Sequence, residues 1–158
     1  FLATVHRAEN TDSRDRLRSI LAGFEQVHMD LGLPIIFPAH PRTVKMVKEF
    51  GLTVPEGTSI VQPLGYLDFL QLEGAAKLIL SDSGGLQEEA CILGVPCVTL
   101  RDNTERPETV EVGANVIAGA DGKVPEFVRK MIVSDKNWKN PYGDGNASEL
   151  ILSNITLS

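Results

Sequence analysis

Four short segments carry most of the reactive side chains in this sequence. They are His6-Arg7-Ala8-Glu9-Asn10, His40-Pro41-Arg42, Ser81-Asp82-Ser83-Gly84-Gly85-Leu86-Gln87-Glu88-Glu89, and Arg101-Asp102-Asn103-Thr104-Glu105-Arg106-Pro107-Glu108. Ser83-Gly84-Gly85 reads as the turn into a helix. The free N–H groups of a helix start attract an anion, with the helix dipole behind them. Glycine lets that anion come close to the backbone, and the Ser83 hydroxyl offers a further hydrogen bond. Glu89 follows roughly 7 to 8 Å along the axis, at 1.5 Å per residue. A carboxylate there can accept from a ribose diol while the glycines hold a diphosphate. The same residues also describe an ordinary strand-to-helix turn with an exposed glutamate. Lys is missing, so this is not a Walker A loop, and it is not the three-glycine dinucleotide fingerprint. Asp82-Ser83-Gly84-Gly85 also looks like the nucleophile segment of trypsin-like proteases. That fold is all-β and disulfide-bonded, and the acidic helix after Gly85 does not belong to it.

The other segments add charge. Arg101 and Arg106 stand among three carboxylates, and arginine holds phosphate or sugar oxygens with fixed fork geometry. Arg106 is the stronger candidate, and a self-paired charged loop is the alternative. His6 can donate to a phosphate, act as acid or base, or simply cap its loop. His40 reads the same way more weakly. His28 falls in the apolar stripe of a helix and reads as structural. Phe69 suits either core packing or the flank of a nucleobase. Cys91 and Cys97 read as core thiols.

Alternating elements must position these segments. A strand over 1–5 leads into a loop at 6–10. Thr11-Asp12-Ser13 caps a helix bearing Leu17, Ile20, Leu21, Phe24, Val27 and Leu31, which Gly32 stops. A strand at 33–39 precedes a helix opened by Pro41 and closed by Gly51. Strands follow at 58–62, 77–80, 97–100 and 115–117. Between and after them come helices at 66–75 and 84–93, a short one beyond Pro107, and others at 125–133 and from about Ala147. Strand and helix alternation predicts an α/β domain whose parallel sheet is covered on both faces. In such sheets ligands sit beyond the carboxyl ends of the strands, and all four polar segments lie at that edge.

Composition narrows the classes further. The chain has 158 residues, 42% hydrophobic and 23% charged, which suits one soluble globular domain. With 15 Lys and Arg against 21 Asp and Glu, the formal net charge is −6, so a nucleic-acid partner is not expected. A small anion can still bind a locally positive site. No apolar run approaches the roughly 20 residues of a spanning helix, and no membrane partner is expected. Two cysteines make no disulfide framework and no metal spacing, so a reduced, cytoplasmic setting, no metal and no cofactor are expected. The chain opens inside a strand without Met, and the expectation is an excised piece of a longer protein.

Taken together the motifs resemble one family. Thr4-Val5-His6-Arg7-Ala8-Glu9-Asn10, Ser81 to Ala90, Gly94-Val95-Pro96, Arg101 to Glu108, and Asn140-Pro141-Tyr142-Gly143-Asp144-Gly145-Asn146-Ala147 look like the non-hydrolysing UDP-N-acetylglucosamine 2-epimerases, in the same order along the chain. The resemblance implies a Rossmann-like parallel sheet with helices on both faces, the C-terminal half of a glycosyltransferase-B-type two-domain fold. It implies one UDP-binding domain over 1–158, with the N-terminal domain absent. By resemblance, Ser83, Gly84 and Gly85 bind the diphosphate and Glu89 the ribose. Arg7, Arg106 and a catalytic His6 reach the phosphate and sugar side. Phe69, with Pro63-Leu64-Gly65-Tyr66, lines the uracil pocket. The family reaction interconverts UDP-GlcNAc and UDP-ManNAc through loss of UDP, a glycal intermediate and re-addition, in the setting of cell-envelope polysaccharide biosynthesis. Full-length members are commonly homodimers. The resemblance further implies that this half binds UDP weakly and does not turn over alone. Rival readings are a UDP-sugar-dependent glycosyltransferase domain, a hydrolysing epimerase, and a non-catalytic nucleotide-sugar-binding module.

Overall fold

The computed structural model describes residues 1–156. Six strands form one fully parallel sheet: β1 (Leu2–Thr4), β2 (Ile35–Pro38), β3 (Thr58–Val61), β4 (Ile79–Ser81), β5 (Cys97–Thr99) and β6 (Asn115–Ile117). Their order is β3-β2-β1-β4-β5-β6. The chain runs outward from β1 in one direction and then restarts beside it at β4, with Leu2 opposite Ile79 and Thr4 opposite Ser81. The crevice of such a sheet opens where the order reverses, here between the loops that leave β1 and β4.

The helices are α1 (Ala8–Thr11), α2 (Arg14–Leu31), α3 (Pro41–Glu49), α4 (Tyr66–Ala75), α5 (Gly84–Leu93), α6 (Pro107–Glu111), α7 (Val124–Ile132) and α8 (Ala147–Thr156). Most element positions agree with those read from the pattern. One does not: the predicted loop at 6–10 contains the one-turn helix α1, which the short polar stretch gives no periodicity to reveal. Ser13 caps α2 by accepting from the Arg16 N–H, and Gly32 ends it in the left-handed conformation at φ 65°.

Successive strand residues point to opposite faces, and the core divides accordingly. Ala3, Ile35, Phe37, Leu80 and Val98 pack with Leu17, Ile20, Phe24 and Val27 of α2 and with Val124, Val128 and Met131 of α7. Phe24 and Phe37 meet edge to face at 5.9 Å between ring centres. Leu2, Ile79 and Cys97 face the other way, onto Leu86 and Ala90 of α5 with Phe69 and Leu72 of α4 beside them. Burying each large side chain of this kind contributes about 2 kcal/mol.

His28 is structural, as the helix stripe predicts. Its Nδ1 lies 2.9 Å from the Leu33 carbonyl. Gly57 passes under its ring with φ +78°, and a Cβ added there would lie 2.1 Å from the imidazole. Cys91 and Cys97 are buried free thiols. No helix among the described residues is long and apolar enough to cross a membrane.

Candidate functional site

The site is built where β1 and β4 end. Thr4 and Ser81 close the strand ends with a hydroxyl pair 2.7 Å apart. The next residue of β4's exit, Asp82, is fully buried. It receives the His6 N–H at 3.1 Å, the Arg7 N–H at 2.9 Å, the Asn10 side-chain amide at 3.0 Å and the His6 Nδ1 at 3.0 Å. Burial pushes the Asp82 carboxyl up, but the donors from His6, Arg7 and Asn10 outweigh it and hold the group below the usual carboxylate range. Asn10 also donates to the Leu100 carbonyl at 2.9 Å, so the loop after β1 is tied to the ends of both β4 and β5. With Nδ1 turned to Asp82, the His6 ring is fixed in orientation while 46% of its side chain stays exposed. Its Nε2 has no hydrogen-bond partner among the described residues.

Ser83 is the N-cap of α5, and its hydroxyl accepts from the Leu86 N–H at 3.5 Å. That serves the third amide of the helix. The first two, on Gly84 and Gly85, have no intrahelical acceptor, and none is recorded for them among the described residues. Open space lies over Gly85; over Gly84 the Glu105 carboxylate is 3.4 Å from where a Cβ would be, with the Arg106 guanidinium just beyond. The helix start is thus partly overhung but not filled. His6, Ser83 and Phe69 line one cleft with Thr4 and Leu86. An adjoining hollow of about 190 Å³ runs from His6 past His40 to Pro63, Leu64 and Phe69. Phe69 rests against the core and also lines this hollow.

The arginines divide. Arg101 is 8% exposed, pairs with Glu9 at 2.6 Å and grips both oxygens of Glu105 at 2.8 Å. It is a structural clamp on the loop. Arg106 lies nearer the surface, ion-paired with Glu88 and donating to the Glu105 carbonyl at 2.9 Å. Arg7 stands 3.8 Å from Glu105. His40 caps α3 through its Nδ1, and Arg42 pairs with Asp12.

Glu89 does not line the cleft with His6 and Ser83. It sits between α5 and α4, where the Tyr66 hydroxyl donates to it at 3.4 Å. Behind it Glu73 of α4 is fully buried. Burial, the Glu89 charge and a hydrogen bond to Glu89 raise the Glu73 carboxyl to about 8.

Sequence reasoning overlooked several of these groups. Asp82 lay inside the glycine motif but was given no part, although an Asp at a buried strand end has few other ways to be satisfied than by loop amides. Glu73 interrupts the apolar stripe Phe69, Leu70, Leu72, a signal that could have been read. A buried polar cluster joins Gln87, Thr99, Thr104, Thr109 and Asn115 and locks the arginine loop onto α5 and β6. Nothing in the local sequence marks it.

Comparison with known proteins agrees with this geometry. The family described as UDP-N-acetylglucosamine 2-epimerase matches residues 1–156. The UDP-N-acetylglucosamine 2-epimerase of Methanocaldococcus jannaschii is 52% identical over 161 aligned positions, covering 99% of this chain and 44% of its own length. The Pseudomonas aeruginosa UDP-2,3-diacetamido-2,3-dideoxy-D-glucuronate 2-epimerase is 41% identical, covering 96% of this chain. The crystal structure of the Methanocaldococcus jannaschii enzyme in complex with UDP-GlcNAc and UDP superposes with a TM-score of 0.91 at 51% identity, covering 100% of this chain and 45% of that one. The glycosyltransferase SnogD from Streptomyces nogalater, 14% identical with a TM-score of 0.60, shares the fold alone. The chain thus spans about 44% of the length of the curated relatives it matches. The sheet order, the glycine-led α5 and these matches agree: the chain is a Rossmann-like α/β unit that belongs to the UDP-N-acetylglucosamine 2-epimerase family.

Proposed function

We propose that this chain is the UDP-holding half of a UDP-GlcNAc 2-epimerase, an isomerase completed by a second, N-terminal domain across the cleft. The observation that carries the reading is the pair of unclaimed amides on Gly84 and Gly85, which follow Ser83 at the sheet's reversal point, where Ser83 shares a cleft with His6. Two further facts support it. The relatives named above act on different sugars, but both names begin with the same uridine diphosphate. The carboxylates that pair with Arg7 and Arg106, Glu105 and Glu88, are partly exposed, and a phosphate can replace them.

In the family reaction a proton leaves C2 of the sugar as the C1–oxygen bond breaks, and the electron pair of that bond departs with UDP. Reprotonation on the other face and re-addition of UDP complete the inversion. The part of this chain is electrostatic. The Gly84 and Gly85 N–H groups and Arg106 receive the diphosphate, whose charge grows as the bond breaks. Arg106 turns from Glu88 to the phosphate. His6, oriented by Asp82, reaches the phosphate and sugar from β1, with Arg7 beside it. Phe69 flanks the uracil and Glu89 receives the ribose diol. The groups that move the C2 proton belong largely to the other domain. A cytoplasmic setting and a homodimer of the full-length protein complete the proposal.

Titration of the 158-residue chain with UDP, followed by amide NMR, tests it. The Gly84 and Gly85 amides are expected to shift most, with weak affinity because Arg106 must exchange partners. No turnover of UDP-GlcNAc is expected from the chain alone. Unmoved glycine amides at saturating UDP would remove the binding site, and measurable turnover would overturn the division of labour.

A further inference from the structure

We propose that Glu73 is a positioning residue: kept as a carboxylic acid under α4, it donates its proton to Glu89 and, with Tyr66, sets the carboxylate that receives the ribose diol. The proposal rests on the reading of Glu89 given above and deepens it. Glu73 is fully buried, and neither of its carboxylate oxygens has a donor within reach. An ionised carboxylate in that condition is among the costliest things a protein can bury. A neutral carboxylic acid is not, provided its single O–H finds an acceptor. The carboxyl that acts on it is Glu89, whose charge and hydrogen bonding favour the protonated form of Glu73.

The surroundings leave no other source of compensation. From α5 the group facing Glu73 is Glu89. From β5 it is Cys97, whose thiol burial pushes up to about 12, so it stays neutral. On its own helix Tyr66 reaches it only through Glu89. Among the described residues no Lys or Arg donates to either Glu73 oxygen. Two carboxyls that close share one proton, and the buried member keeps it. Glu89 remains charged at the rim, one side held by Glu73 and Tyr66 and the rest free for hydroxyls.

The sign of the pH dependence follows. Glu73 holds its proton in the folded protein up to about 8, against an ordinary value of 4.5. The folded state therefore carries an extra proton between those limits, so its stability advantage is full below about 4.5, declines as pH rises, and is gone above about 8. At pH 9 only about one molecule in eleven keeps the shared proton, so affinity for a ribonucleotide falls about tenfold between pH 7 and pH 9.

Calorimetric titration of the 158-residue chain with UDP, 2′-deoxy-UDP and inorganic pyrophosphate, at pH 7 and pH 9, tests this. Glu73→Gln keeps a donor that cannot ionise, and its UDP affinity is expected to stay level where the unaltered chain loses about tenfold. Glu73→Leu removes the donor, and is expected to weaken UDP at both pH values and erase the preference for UDP over 2′-deoxy-UDP, with pyrophosphate binding unchanged. A Glu73→Gln chain that follows the unaltered pH profile would overturn the proposal while leaving UDP binding intact. So would a Glu73→Leu chain that loses pyrophosphate and UDP alike. An unaltered chain that binds no UDP at either pH would overturn both this proposal and the nucleotide reading.

Discussion

Asp82 and Glu73 are two fully buried carboxyls that the same fold treats in opposite ways. Asp82 sits at the mouth of the sheet and is met by two backbone amides, a side-chain amide and an imidazole. Those donors replace its water and keep it charged. Glu73 lies under α4 with no donor for its oxygens and a second carboxyl in front of it. It can only keep its proton. Burial alone decides neither case; the count of donors does. Asp82 thereby organises a loop with its charge, whereas Glu73 can act only through the hydrogen it retains.

The sharpest way to break this contrast is Asp82→Asn. The amide would turn N–H groups toward the His6, Arg7 and Asn10 donors and leave several unpaired inside the protein. A loss of roughly 2 to 3 kcal/mol is expected, read from the urea midpoint at pH 7, together with broadened amide signals over 6–10. Acid and alkali then separate the two carboxyls. The folded Asp82 carboxyl lies below its ordinary 3.8, so its contribution is present above that value and lost as pH falls through the folded one. The gap between the unaltered chain and Asp82→Asn should close in strong acid. Glu73 acts on the other limb: the unaltered chain should lose stability as pH rises from about 4.5 to about 8, with no further loss from this group beyond, while Glu73→Gln lacks that slope. A common pH profile for both variants would refute the contrast. The smallest effect concerns the amides nearby. Gly85 has ordinary backbone angles and open space above it, so Gly85→Ala should stabilise the chain by about 0.5 kcal/mol. On the proposed diphosphate site it should nonetheless weaken UDP binding, because a methyl group would then stand in the phosphate's path. Thermal unfolding and titration on the same sample check both signs.

Much of this architecture was legible from residues alone. The glycine stops at Gly32 and Gly94 and the proline start at Pro41 are local backbone chemistry, so α2, α3 and α5 could be read from their ends. The polar segments at the strand ends located the crevice, because alternation fixes which edge they share. What escaped reading depends on contacts between distant residues. Asp82 and His6 lie 76 positions apart, and Gln87 and Asn115 lie 28 apart. Sequence already favours Arg106 over Arg101, but only the fold shows Arg101 clamped inside the loop and Arg106 near its surface. The α1 turn was missed because four residues are too few to display a helical period.

The glycine pressed beneath the His28 ring has a consequence for anyone screening variants of this chain. Position 57 admits no side chain, since any would evict the imidazole and release the Leu33 carbonyl at the entry to β2. In a saturation library scored by survival, Gly57 would rank with the most intolerant codons and invite confusion with a reaction centre. Scoring soluble yield beside ligand retention would separate the two, because a Gly57 substitution removes the folded protein itself.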